Sequence, residues 1–154
     1  CEAHPKASEA LQPFILSYKA SAMALVAAET FKLSLIGKSF KLFETAIQKY
    51  GAIHYLPEFM RGSVAENLPW FYFSKRALAK IDFENIIRKE AQNPEYASWK
   101  IMSFVYWAWA KQHPQRKYRA QAIAYLQKAI ELDPHYLAGR KRSEELLSQF
   151  TIDN

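Results

Sequence analysis

Cys1 is the only cysteine in this chain of 154 residues. That excludes an intramolecular disulfide and leaves no thiolate set for a structural zinc. Glycine is nearly as scarce, with four residues, and no Gly-rich phosphate loop, dinucleotide fingerprint or Gly-x-Ser-x-Gly elbow occurs. Long apolar runs are missing too. The uncharged run Ala20–Ala28 sits between Lys19 and Glu29 and is too short to span a bilayer. Strand-like alternation is almost absent. None of the four histidines, His4, His54, His113 and His135, stands at a ligand spacing from another donor on one helix face. Beside prolines, His113 and His135 read as surface or capping residues. The carboxylate pair Glu144-Glu145, next to Arg140-Lys141-Arg142, reads as a solvated helical face, and Glu58 with Arg61 as a surface ion pair. No catalytic residue, metal or cofactor is expected.

What is present in quantity is apolar and aromatic. Half of the residues are hydrophobic and 15% are aromatic, the composition of a packed globular chain. Helix formers dominate, and the period is helical. Phe40, Phe43, Ile47 and Tyr50 form one stripe at three- and four-residue spacing. The pattern predicts helices over 8–18 (interrupted or restarted at Pro13), 20–36 (broken by Gly37), 38–50 (capped by Gly51), 57–67, 69–80, 82–91, 94–112, 117–132 and 134–150. Pro57, Pro69, Pro94 and Pro134 are placed in first turns, and Asn93 and Asp133 at caps. The class is all-α, as one domain over 1–154.

Charge is uneven. Between Lys100 and Arg142, nine basic residues face only Glu131 and Asp133, a surplus of +7, so the remainder of this +6 chain sums to −1. Arg116, Lys117, Arg119, Arg140, Lys141 and Arg142 make up the candidate basic patch. Its ordinary reading is a solvated surface; its functional reading is an anionic partner.

Three prolines recur at spacings of 37 and 40 in like words: Pro57-Glu58-Phe59, Pro94-Glu95-Tyr96 and Pro134-His135-Tyr136. Such a period suggests a helical array. Within 122–136, Ala122 and Ala129 stand seven apart, with Leu126, Ile130 and Leu132 between and after them, and Asp133-Pro134 closing the run. Small residues at that spacing make a flat stripe that a neighbouring helix can approach closely. This stretch resembles the second helix of a tetratricopeptide repeat, a helix–turn–helix unit of about 34 residues. Trp109-Ala110 and Tyr106 fall at matching places of its first helix. The match covers about 103–136, with degenerate helix pairs upstream and 134–150 as a capping helix. The resemblance implies stacked antiparallel helix pairs in a right-handed solenoid, and a role in binding proteins or peptides. It departs from the family in its 40-residue spacing and in lacking the paired asparagines of the family's carboxylate clamp.

In that register the groove face of the first helix carries Lys100, Phe104, Trp107 and Lys111, and the opposite stripe Met102, Tyr106, Trp109 and Ala110 packs inward. The expected partner is a protein or peptide of acidic character. A small-ligand binder or all-α enzyme with an aromatic-lined pocket is the second reading, and an anionic-polymer binder the third, with nucleic acid not favoured. The aromatic runs 70–73 and 104–109 put rings on every side of their helices, the pattern of buried helices. Cys1 admits two readings: the start of a fragment, or the lipid-modified first residue of a mature bacterial lipoprotein with 1–7 as tether. The second implies a membrane-anchored periplasmic or cell-surface protein, the first a cytoplasmic one.

Overall fold

A computed structural model describes the backbone of residues 5–152 and the side chains of residues 9–150. Cys1, with its expected lipid anchor, lies outside the described residues. The chain is all-helical, with no strand among the described residues. It falls into two compact units, 1–82 and 83–154.

The first unit is built on α1 (Pro5–Thr30), α2 (Ser34–Tyr50) and α3 (Leu56–Asn67), each packed on the other two. Residues 5–7, read as tether, are thus helical. So is Pro13, which neither interrupts nor restarts α1. The expected break at Gly37 is absent as well: Gly37 lies inside α2. The chain turns instead at Phe31, which takes a left-handed φ of 55°. Thr30 helps to end α1 by donating its Oγ to the Val26 carbonyl at 2.6 Å. The expected stripe of α2 does point inward at Phe40 and Phe43, joined by Ile36, Ser39 and Ala46. Ser39 donates to the Ala20 carbonyl at 2.7 Å and ties α2 to α1. Pro57 sits in the first turn of α3, where its missing N–H costs nothing.

Residues 69–80 do not form the single helix expected. A 3-10 turn (Trp70–Tyr72) leads into the short α4 (Phe73–Arg76), and α5 (Leu78–Gln92) follows. Nor is the 70–73 run buried: Trp70 is 81% exposed and Phe73 77%. Arg61 of α3 and Glu58 do not lie at the surface as expected: Glu58 is buried, and its charge adds to what favours the Arg61 cation. The main grip of Arg61 is elsewhere. Its guanidinium grips Asp82 in two bonds of 2.9 and 2.7 Å.

In the second unit α6 (Trp99–Gln112) and α7 (Arg119–Leu132) pack together, and α8 (Arg140–Ile152) packs on both. A 3-10 turn (Arg116–Tyr118) precedes α7. Pro94 and Pro134 do not open helices. Each sits in a turn several residues ahead of one, so the helices expected from 94 and 134 begin at Trp99 and Arg140. Ser98 caps α6, while Asp133 accepts from the backbone N–H groups of Leu137, Ala138 and Arg140 at 2.7–3.1 Å. Burial alone would raise the Asp133 pKa, but those three bonds, with Arg140 nearby, hold it below the usual value.

Ala122, Leu126 and Ala129 are fully inaccessible, as the flat stripe predicts. Ser103 of α6 donates its Oγ to the Ala129 carbonyl at 2.8 Å, a contact that leaves little room beyond a methyl group. Leu at position 129 is therefore expected to lower stability by about 1–3 kcal/mol through overpacking. A thermal melt indistinguishable from wild type would show that α7 has space there.

Candidate functional site

Two surfaces offer more than packing, one in each unit. In the second unit it is the outer face of α6. Residues 100, 104, 107 and 111 follow helical spacing along one side, and the structure separates them from the core stripe. Met102, Tyr106, Trp109 and Ala110 are buried, Phe104 and Trp107 are half-buried, and Lys100 and Lys111 are exposed. Tyr106 meets Tyr125 at a tilt, with ring centroids 4.9 Å apart. Burial first, then Glu90 and Tyr125, push its pKa to about 12, so it stays a neutral phenol. His113, expected at the surface, is buried and stacks on Trp109 at 3.9 Å while its Nδ1 meets the Trp109 carbonyl at 2.7 Å. It caps α6 and is a core residue.

On the outer side, Phe104 and Trp107 lie 5.2 Å apart, and Phe83 of α5 meets Phe104 edge-on at 6.4 Å. Lys111 Nζ stands 5.1 Å from the Trp107 ring centre. Arg142 of α8 spans both rings, at 5.6 Å from Phe104 and 5.1 Å from Trp107. Lys100 instead lies over Trp99, at 5.5 Å. The result is a ridge of two aromatic rings bearing cations, each placed for cation–π attraction.

The six basic residues do not form one patch. Arg116 and Lys117 are exposed at the end of α6, with Arg119 bonded to the Phe150 carbonyl. Arg140, Lys141 and Arg142 open α8, beside Ser103 near the start of α6, since the Gly139 N–H donates to Ser103 Oγ at 3.1 Å. Ten helical residues separate Ser103 from His113, on the order of 15 Å. Arg140 is engaged with Glu144 at 2.7 Å and lies over Tyr136 at 4.5 Å. Only Arg142 joins the α6 face.

The other surface is one that the sequence did not disclose. In the first unit an apolar cleft of about 670 Å³ is lined by α1, the start of α2, α3 and the 69–72 segment. Ser63 and Asn67 on its wall donate back to their own helix, to the Phe59 and Ser63 carbonyls. The signal that could have found it is the pairing of an apolar α1 with the aromatic run 70–73. The run 70–73 reads as core, because a ring-rich stretch is usually covered. Among the described residues no three His, Cys, Asp or Glu side chains converge as a metal site.

No family model, curated protein or solved structure matches this chain.

Proposed function

We infer that this chain is a non-catalytic binding module of tetratricopeptide-like build, which takes an extended, acidic and apolar segment of another protein on the outer face of α6. The observation that carries this reading is the division of α6. One stripe is sealed into the core, while Phe104 and Trp107 on the other remain accessible and are bracketed by Lys111 and Arg142. Rings bind apolar side chains and backbone planes; the cations favour carboxylates and fix register. The repeat reading draws support from the helix pair α6–α7, the inaccessible Ala122 and Ala129, and α8 laid over the pair.

The test uses a labelled peptide of alternating Glu and Leu, and its Lys-for-Glu counterpart as control. The acidic peptide should bind and the basic one should not. Lys111→Glu should weaken binding about tenfold at low salt, and the difference should shrink as salt screens it. Trp107→Ala should remain folded and lose binding. If that variant instead loses about 3–5 kcal/mol of stability, the ring is core and the face is not a site.

A further inference from the structure

Helix α1 has two apolar faces. One, with Ser17, Ala20, Ala24 and Ala27, is buried in the first unit. The other is open to solvent. Leu11, Ile15, Tyr18, Leu25 and Val26, at helical spacing along it, are 44–63% exposed. A helix at the surface of a globular protein normally carries polar residues there. By length and composition Glu9–Thr30 could cross a membrane, but its inner face is committed to α2 and α3, so only its outer face is open to an apolar phase.

The exposed apolar surface continues past the helix. Phe31 is 86% exposed in a left-handed conformation that a bulky side chain rarely adopts. Neither packing nor backbone preference accounts for a phenylalanine there. Leu33 follows, 56% exposed, and Trp70 and Phe71 stand exposed on the 69–72 segment. Isolated exposed apolar residues are ordinary. Here Leu25, Phe31, Leu33 and Phe71 line one cleft, and a contiguous patch of that kind marks an interaction surface.

Charge points to the occupant. The segment 30–43 carries Lys32, Lys38 and Lys41, and the segment 67–81 carries Lys75, Arg76 and Lys80; neither contains an acidic residue. The two segments meet, since both line the cleft and Lys75 Nζ lies 5.5 Å from the Phe40 ring centre. Exposed rings with Trp and Tyr among them, beside six cations in these two segments and with the exposed Glu29 and Glu44 flanking the first of them, match the layers of an anionic bilayer: acyl chains below, interfacial aromatics, then negative headgroups.

We propose that the first unit docks on an anionic lipid bilayer, with Phe31, Leu33, Trp70 and Phe71 entering the acyl boundary and Lys32 and Lys38 facing the headgroups. This docking is independent of any lipid on Cys1 and of the α6 face.

The experiment is co-sedimentation of the unlipidated chain with vesicles of phosphatidylcholine alone and of phosphatidylcholine mixed with phosphatidylglycerol. Partition into the mixed vesicles should be stronger by about tenfold and should weaken with salt. The decisive variant is Phe31→Gly. Glycine suits the φ at this position, so its melting temperature should equal or exceed that of wild type, while its partition should fall about tenfold. Lys32→Glu with Lys38→Glu should abolish the preference for the anionic vesicles. The proposal is overturned if wild type ignores both vesicles, or if Phe31→Gly partitions unchanged. It is equally overturned if the chain dimerises or captures an amphipathic helical peptide through this face while leaving vesicles unbound.

Discussion

Asp82→Ala is expected to remove about 3–5 kcal/mol of stability, enough to unfold a marginal domain. The Asp82 side chain is fully inaccessible and that of Arg61 is only 12% exposed. The guanidinium holds the carboxylate in two parallel bonds of 2.9 and 2.7 Å, the strong bidentate geometry. Burial pulls the Arg61 pKa down, but the bond to Asp82 and its charge, with Glu58 and Glu44 behind, more than restore it. A guanidinium does not lose its proton in a protein even without that help, so alanine leaves a cation in a site with little water. The whole pair should behave differently. Arg61→Met with Asp82→Leu removes both charges of the pair and should regain part of the loss, because a buried ion pair is worth little against apolar residues of its own volume, while the buried Glu58 loses the cation near it. Urea denaturation of the two single variants and the double variant separates these terms. An Asp82→Ala cost under about 1 kcal/mol would mean that the pair is solvated like a surface bridge.

That pair also shows how far the sequence can be read. Glu58 and Arg61, three apart on one helix, look like surface partners because local spacing is all a sequence offers. Asp82 lies 21 residues away, and only the packing of the first unit brings it to Arg61. The helical class, by contrast, is a local property. Scarce glycine, abundant helix formers and a 3.6-residue period settle it without tertiary information. The boundaries were less legible. Gly37 looks like a breaker, but inside α2 a Cβ at that position would meet nothing within 4 Å, and the period simply runs through it. The true turn is at Phe31, where no glycine announces the left-handed backbone. Pro94 and Pro134 resemble helix starts because proline suits a first turn. Asn93 and Asp133, however, bond to N–H groups that follow them and fold those prolines into turns.

The two surfaces divide in the same way. The split of α6 into a buried and an accessible stripe follows from helical spacing, so Lys100, Phe104, Trp107 and Lys111 could be placed on one side in advance. Arg142 over both rings could not be anticipated, since it comes from another helix. Nor could the N-terminal cleft, because apolar sequence does not say whether anything covers it.

Gly139→Ala is expected to cost about 3 kcal/mol although it adds one methyl group. A Cβ at Gly139 would stand 2.5 Å from the carbonyl oxygen of Ser103 and 2.8 Å from its Oγ. The nearest obstacle is backbone near the start of α6, so no side-chain rotation can relieve the clash. Relief requires moving the start of α8 away from α6. That would break the bond from the Gly139 N–H to Ser103 Oγ, and would strain the one from Ser103 Oγ to the Ala129 carbonyl. One hydroxyl thus joins α6, α7 and the start of α8, and the added methyl group works against two of its hydrogen bonds. Overpacking of about 1–3 kcal/mol and one buried bond of about 1 kcal/mol combine to the expected figure. Ser103→Ala should cost less, about 1–2 kcal/mol, since it deletes the bonds without the clash. With Ser103→Gly, Gly139→Ala should still be costly, because the carbonyl remains in place. Thermal and urea melts of the three variants check the order. A Gly139→Ala melt at or above that of Ser103→Ala would show that α8 yields freely and is not held by this contact.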